Sequence, residues 1–394
     1  MLNYFLIYPM IWGMVLILYC MNFSLFNIAM DPFLLLFIIA SSIISLFLGI
    51  WHRKKFKFKK DPDIKLSVKP LIFIFIFMIL EFIIVKDIPF ISIAILKTQE
   101  YSSLKFAPFI HVVVAALGMY YAIKYFYCAI CNKQNRKKSI LCFIAILIIF
   151  LLYYARSFIA MILFAAMIML LSYLSSENRI KFKHIIISIV SVIVLLYGYG
   201  GLGNIRQGYT WNDSSYIETI GLYTKYPKFL PKQFMWPYSY FTTPLANLNY
   251  NVKKADVSIK PIAIVGEMVP KTISKRLTAM SDSTSCQLIK SYFNVSTGYC
   301  SFYVNGSFVG LIILFGFMIL LGLLGTKMSN IEKLKSDYII FCSMMCIVYL
   351  FMFFDNMFSY VGVSIPFWIS FVVLLLKAKK IKKAEKLEEN LINE

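Results

Sequence analysis

The sequence predicts an all-α polytopic membrane protein, and three observations carry that prediction. Of 394 residues, 60% are apolar and only 15% are charged, with a mean hydropathy of +0.74. Soluble globular domains are about 45–50% apolar and about 25% charged, so a water-soluble fold would leave much of this surface uncovered. Apolar runs long enough to cross a bilayer recur ten times along the chain. The lysines and arginines also alternate from loop to loop, as the positive-inside rule requires. An outer-membrane barrel would show short alternating segments instead.

Taken in order, the runs cover residues 4–22, 33–51, 70–86, 108–131, 139–155, 157–174, 185–203, 306–325, 338–356 and 361–376. The first lacks a basic leader and a small-residue cleavage site, so it is expected to stay as a signal-anchor helix. The resulting layout is helices one to seven over 1–203, a long outer loop over 204–300, helices eight to ten over 301–376, and a solvated tail over 377–394. No period of 20 to 50 residues repeats along the chain, which gives no support for an inverted-repeat transporter.

The net charge of +21 suggests an acidic partner until its location is read. One set of loops carries 8 basic residues at 52–69, 4 at 132–138, 3 at 175–184, 3 at 326–337 and 6 in the tail, 24 in all. The opposite short loops hold only Lys86, Lys97 and Lys105. Both termini are therefore expected in the cytoplasm, and most of the excess charge is topological, with no base-stacking module to suggest nucleic acid.

The 204–300 loop has a different composition, rich in Tyr and punctuated by Pro and Trp, and a segment this long is usually functional. Pieces such as 216–223 and 261–277 are amphipathic and are expected to lie as helices on the bundle. Cys286 and Cys300 both fall in this loop, where an oxidising compartment permits a disulfide between them. Cys128 and Cys131 form a C-x-x-C pair inside an apolar helix, which reads as small buried residues. Three scattered histidines give no zinc spacing, and the phosphate loops and hydrolase motifs of soluble enzymes are absent. Neither a metal nor another cofactor is expected. The glycines at 198, 200, 201 and 203 read as the termination of the seventh helix.

Charges inside spans are costly and are functional candidates. Glu81 and Lys124 lie within spans, Lys124 near enough to one end to snorkel. The remaining candidates gather at the outer boundary: Arg156 in a polar break between the fifth and sixth spans, Arg206 after the seventh, His111 at the start of the fourth, Asp355 at the end of the ninth, and Arg276 in the loop. Guanidinium groups present forked donors that match phosphate oxygens and stay charged at any pH. Trp236, Tyr238 and Tyr240 alternate with hydrogen-bonding residues such as Asn247, a composition suited to stacking and binding sugars. Together these features suggest an outward site for a lipid-linked, phosphorylated saccharide.

The segment Trp236-Pro237-Tyr238-Ser239-Tyr240-Phe241-Thr242-Thr243-Pro244-Leu245-Ala246-Asn247-Leu248 resembles the Tyr-rich signature of the bacterial oligosaccharide repeat unit polymerases, the Wzy-type O-antigen polymerases. Ala155-Arg156-Ser157, Asn204-Ile205-Arg206-Gln207-Gly208 and Gly266-Glu267-Met268-Val269-Pro270 leading to Lys275-Arg276 agree with it in order. Asn305-Gly306-Ser307 departs from it, standing where the family carries an acid. The resemblance implies a GT-C-like fold in the bacterial inner membrane and polymerisation of undecaprenyl-diphosphate-linked units on the periplasmic face. It implies no nucleotide sugar and no metal.

On that reading Arg156, Arg206 and Arg276 stabilise the leaving diphosphate, and Glu267, His111 or Glu218 serves as base. Trp236, Tyr238, Tyr240 and Asn247 hold sugar, with shaping or packing of the loop the equal alternative for the last three. A chain-length regulator is a possible partner. An O-antigen ligase and a lipid-linked oligosaccharide flippase are the competing readings.

Overall fold

The computed structural model describes residues 2–96, 98, 103–254, 257–278 and 283–393. Helices occupy all ten predicted positions: α1 (Tyr4–Cys20), α2 (Pro32–Trp51), α3 (Lys69–Val85), α4 (Pro108–Cys131), α5 (Arg136–Leu152), α6 (Arg156–Ser176) and α7 (Phe182–Arg206) before the long connection, with α13 (Ser307–Lys327), α14 (Lys335–Phe351) and α15 (Val361–Asn393) after it. Between them lie α8 (Ser215–Ile220), α9 (Met235–Lys254), α10 (Pro261–Glu267), α11 (Lys271–Thr278) and α12 (Gly298–Val304). Among the described residues, seven helices are long and apolar enough to cross a membrane: α2, α4, α6, α7, α13, α14 with its short lead-in, and the apolar part of α15. Helices α1, α3 and α5 have 17 residues each, about 25 Å of rise and the short end of spanning length. The chain is thus an all-α polytopic membrane protein.

Burial sorts the helices by depth in the bundle. Within its most apolar window α14 is 78% buried, whereas α7 is 11% buried. Helix α14 is therefore the hub, packed by α1, α4, α6, α13 and α15, and α7 is a peripheral helix. The exposed Ile, Leu and Phe along α2, α3 and α7 are the surface a bilayer would cover, since water would penalise patches of this size. Tyrosine hydroxyls close the polar gaps between helices. Tyr8 shares hydrogen bonds with Ser41 (3.1 Å) and Tyr299 (2.7 Å), and Tyr4 donates to the carbonyl of Gly322 (2.6 Å). In hydrocarbon such groups have no water to turn to.

The ends of the helices follow from local chemistry. Asp31 caps α2 by accepting from Phe33 and Leu34, and Pro32 fills the first position, where no amide donor is needed. Pro108 begins α4 in the same way. Helix α15 continues without a break from the span into the tail, so the boundary expected at 376 is only a change of composition.

The 204–300 connection differs most from its sequence reading. The amphipathic pieces form α8, α10 and α11, but the centre is α9, a 20-residue helix with 14 buried residues. It packs on α1, α7 and α12. Its low apolar content hid it, because its interior face is built of asparagine. Asn247, Asn249 and Asn251 are each 0% exposed. Asn247 donates to the carbonyls of Phe293 (3.1 Å) and Val295 (2.7 Å) and accepts from the amide of Ile289 (2.9 Å). Asn249 accepts from Asp31 and donates to Ala29, while Asn251 makes a two-way pair with the Gln287 backbone. Cys286 and Cys300 are joined, with Cα atoms 6.1 Å apart, tying this clamped strand of chain to α12.

Closing a loop of this length stabilises by about 3 kcal/mol in the chain-entropy model. Mass spectrometry of the denatured, alkylated protein is expected to find six labelled cysteines without reductant and all eight with it. Cys300→Ser is expected to lower the melting temperature.

Candidate functional site

Two of the predicted arginines converge. Arg156 is the first residue of α6 and Arg206 the last of α7, and both lie close enough to Tyr154 and Tyr199 to act on them electrostatically. Arg156 is 9% exposed. Its Nη1 donates to the Tyr199 carbonyl (3.1 Å), and its guanidinium lies 4.6 Å from the Tyr199 ring centre. A cation at a helix N-terminus opposes the helix dipole, and the first turn of α6 contains no acid to offset it. Among the described residues Arg156 has no carboxylate partner. Two guanidinium groups near the same pair of tyrosines, one of them at a helix N-terminus, make a setting that favours an anion.

Arg206 also lines a cleft with Tyr216, Trp236, Tyr240 and Asn294. Trp236 stands in this wall because its indole donates to Asn204 Oδ1 (2.7 Å) and its ring packs on Gly203. The glycines at 200, 201 and 203 therefore do not end the helix, which runs on to Arg206. They give close approach to the Gln233 backbone, Trp211 and Trp236, where a Cβ would collide. Tyr216 and Trp236 are stacked 6.1 Å apart, as are Trp236 and Tyr240 at 6.4 Å. The cleft so has an aromatic wall with polar groups opposite.

Below this level an apolar groove of about 430 Å³ runs between α1, α6, α7 and α14, lined by residues including Met10, Phe164, Ile193 and Leu196. It shares Phe164, Leu196, Phe241, Phe351 and Phe353 with a smaller apolar pocket that reaches Ser157, Tyr199 and Tyr240. The groove thus leads from the middle of the bundle to the arginine level.

A second cavity, of about 410 Å³, lies beyond the start of α6 and is lined by His111, Phe158, Lys271, Asp355 and Tyr360 among others. Burial pushes the Asp355 carboxyl up to about 6, the neighbouring Glu267 adding to the shift and Lys271 opposing it. Glu267 accepts from Asn356 Nδ2 (2.9 Å). His111 Nδ1 is covered and sits 3.3 Å from Glu81 Oε1, a contact without the alignment of a hydrogen bond. Glu81 is 1% exposed and takes its hydrogen bonds from Tyr153 Oη (2.7 Å) and the Ala107 amide (3.0 Å).

The structure therefore puts Arg156 and Arg206 near the same tyrosines, stacks Trp236 on Tyr240, sets His111 in the wall of the second cavity, and holds Glu267 on Asn356 beside that cavity without lining it. Arg276 is exposed on α11 and lines neither space. Glu218 is paired with Lys232 on the surface. Tyr238 is 6% exposed and its hydroxyl accepts from the Phe23 amide and Asn27 Nδ2. Tyr238 and Asn247 thus hold backbone in place and line neither cavity. Sequence reasoning gave no role to Asp355 and overlooked Lys271. The signal for Asp355 was an acid at a span boundary, and nothing in the sequence marked Lys271.

Loss of the Asn247 amide leaves three backbone groups unpaired, and the fully buried one, at Phe293, costs about 1–3 kcal/mol. Asn247→Ala is expected to cause a large drop in melting temperature, and Tyr238→Phe a smaller one. Comparison with protein-family models, curated proteins and solved structures finds no match for this chain.

Proposed function

We propose that the chain is a membrane-embedded glycosyltransferase that joins polyprenyl-diphosphate-linked oligosaccharide units at the outer face of a bacterial inner membrane. The observation that carries this reading is the position of Arg156 and Arg206 around Tyr199, which lines the apolar pocket, with Arg206 also lining the aromatic cleft. A lipid-linked diphosphate saccharide has matching parts in that order: an apolar tail, a dianionic head and a sugar. The tail fits the groove, the head the guanidinium groups, and the sugar the cleft that Tyr216, Tyr240 and Asn294 line beside Arg206.

Orientation has two supports. The basic loops cluster at one set of connections, and the Cys286–Cys300 bond falls on the other, as expected if that face meets an oxidising compartment. All ten apolar helices crossing the membrane would put both termini in the cytoplasm.

The reaction breaks the bond between the donor's anomeric carbon and its diphosphate oxygen. Negative charge then grows on the leaving group, and fixed donors stabilise it by about 2–4 kcal/mol each where water is excluded. Lysine would keep the charge but lose the fork and the stacking on Tyr199. The resemblance to the Wzy-type polymerases makes the acceptor a second lipid-linked unit. A ligase would use the same donor but deliver the glycan elsewhere, and a flippase would move lipid without lengthening the glycan.

The test is chain extension by the purified protein in liposomes, using the lipid-linked oligosaccharide that accumulates in host cells lacking it. Extension is expected for wild type, with a loss of about 100- to 1000-fold for Arg156→Lys and Arg206→Ala. Normal product ladders from a correctly inserted Arg206→Ala protein would defeat the assignment. Lipid movement without extension would indicate a flippase.

A further inference from the structure

On the glycosyltransferase reading, one group must take the proton of the acceptor hydroxyl, and no arginine can do this. Glu218, on the cleft side, is held by Lys232 at the surface, and the other candidates lie across the α6 N-terminus from the apolar pocket. Ser157 faces the apolar pocket beneath the arginines, and its neighbour Phe158 faces the second cavity. The same division recurs at the end of α14, where Phe354 lines the first space and Asp355 the second. The second cavity thus adjoins the apolar pocket beneath the arginines, separated from it by one layer of residues.

We propose that the cavity lined by His111, Phe158, Lys271, Asp355 and Tyr360 is the acceptor site, taking the non-reducing end of a saccharide, and that Asp355 is its general base. The cavity's volume of about 410 Å³ is within the range of small-ligand sites. The titratable and charged groups around Asp355 are few: Lys271 on α11, Glu267 on α10, His111 on α4 and Tyr360 ahead of α15. Helix α6 contributes only the Phe158 ring to the wall. Asp355 Oδ1 accepts from the Asn356 amide (2.7 Å), which fixes the carboxyl and leaves Oδ2 without a recorded partner among the described residues.

In the step itself, the acceptor oxygen forms the new bond to the donor's anomeric carbon. The bond from that carbon to the diphosphate oxygen breaks, and its electron pair leaves with the diphosphate. The hydroxyl proton passes to Asp355. A carboxyl lifted toward neutrality by burial is a stronger base than an exposed one and remains ionised at pH 7, which suits the task.

The experiment uses the full chain in liposomes with the same extracted lipid-linked oligosaccharide. Asp355→Asn is expected to lower kcat by about 100-fold or more with KM within about threefold of wild type. Wild-type kcat/KM is expected to fall as pH drops through about 6, because the carboxylate is then protonated. That acid limb should vanish in Asp355→Asn. Lys271→Met removes the cation that favours the ionised carboxyl, so its limb should move to higher pH, an effect that simple loss of packing would not produce. This exposed substitution also decides the matter if Asp355→Asn fails to insert.

A wild-type protein that extends nothing would overturn the glycosyltransferase reading and this assignment with it. If wild type extends normally, the base assignment alone is overturned by Asp355→Asn retaining more than about a third of kcat, by an acid limb that persists without Asp355, or by an unmoved limb in Lys271→Met.

Discussion

The fold depends on three buried asparagines of α9. Irregular backbone beside a bilayer must find partners inside the protein, since unpaired amides and carbonyls are costly there. The segment 23–31 has one β-bridge, Ser24 with Tyr223, and neither it nor 284–297 forms a helix. Asn247, Asn249 and Asn251 provide the missing donors and acceptors, bonding the backbones of Asp31, Ala29, Gln287, Ile289, Phe293 and Val295. Spaced two residues apart on a helix, they fan out toward different neighbours, so one helix splints two strands of chain. Because α9 is fixed at this end, Trp236 and Tyr240 at its other end are fixed over the arginines.

That arrangement explains why the charged groups are concentrated where they are. Arg156 opposes the dipole of its own helix and is nearly buried, with one carbonyl and two tyrosine rings as its recorded contacts. Its guanidinium is held by these contacts alone and has no carboxylate partner among the described residues. The many exposed lysines of the opposite end have no such constraint. Several there are fastened to the bundle through backbone, as where Tyr127 and Tyr338 donate to the carbonyls of Lys59 and Lys55.

Glu81 illustrates the alternative fate of a charge in a span. It is buried, yet three contacts from α5, the residue before α4 and His111 surround it. It joins α3, α4 and α5 into one unit and so positions His111 at the edge of the second cavity. A lone acid in an apolar run thus serves as a junction between helices, and its proximity to the cavity follows from that packing.

The sequence by itself determined the elements that respond to the bilayer. Ten apolar runs coincide with ten helices to within a few residues, except that α15 runs on to Asn393, because hydrophobic length acts on each segment separately and needs no knowledge of its neighbours. The convergence of Arg156 and Arg206 was suggested by their shared boundary position, whereas the separation of Arg276 from them was not legible. Nor was α9, whose polar interior resembles a loop until its partners are known. Asn247 and Tyr238 looked like sugar ligands for the same reason: a polar side chain carries no mark of whether it will meet a substrate or a carbonyl. Only tertiary structure decides that, since the partners of Asn249 at Asp31 and of Tyr238 at Phe23 lie more than 200 residues away in the chain. The glycines of α7 read as a helix end until Trp211 and Trp236 were found packed against them.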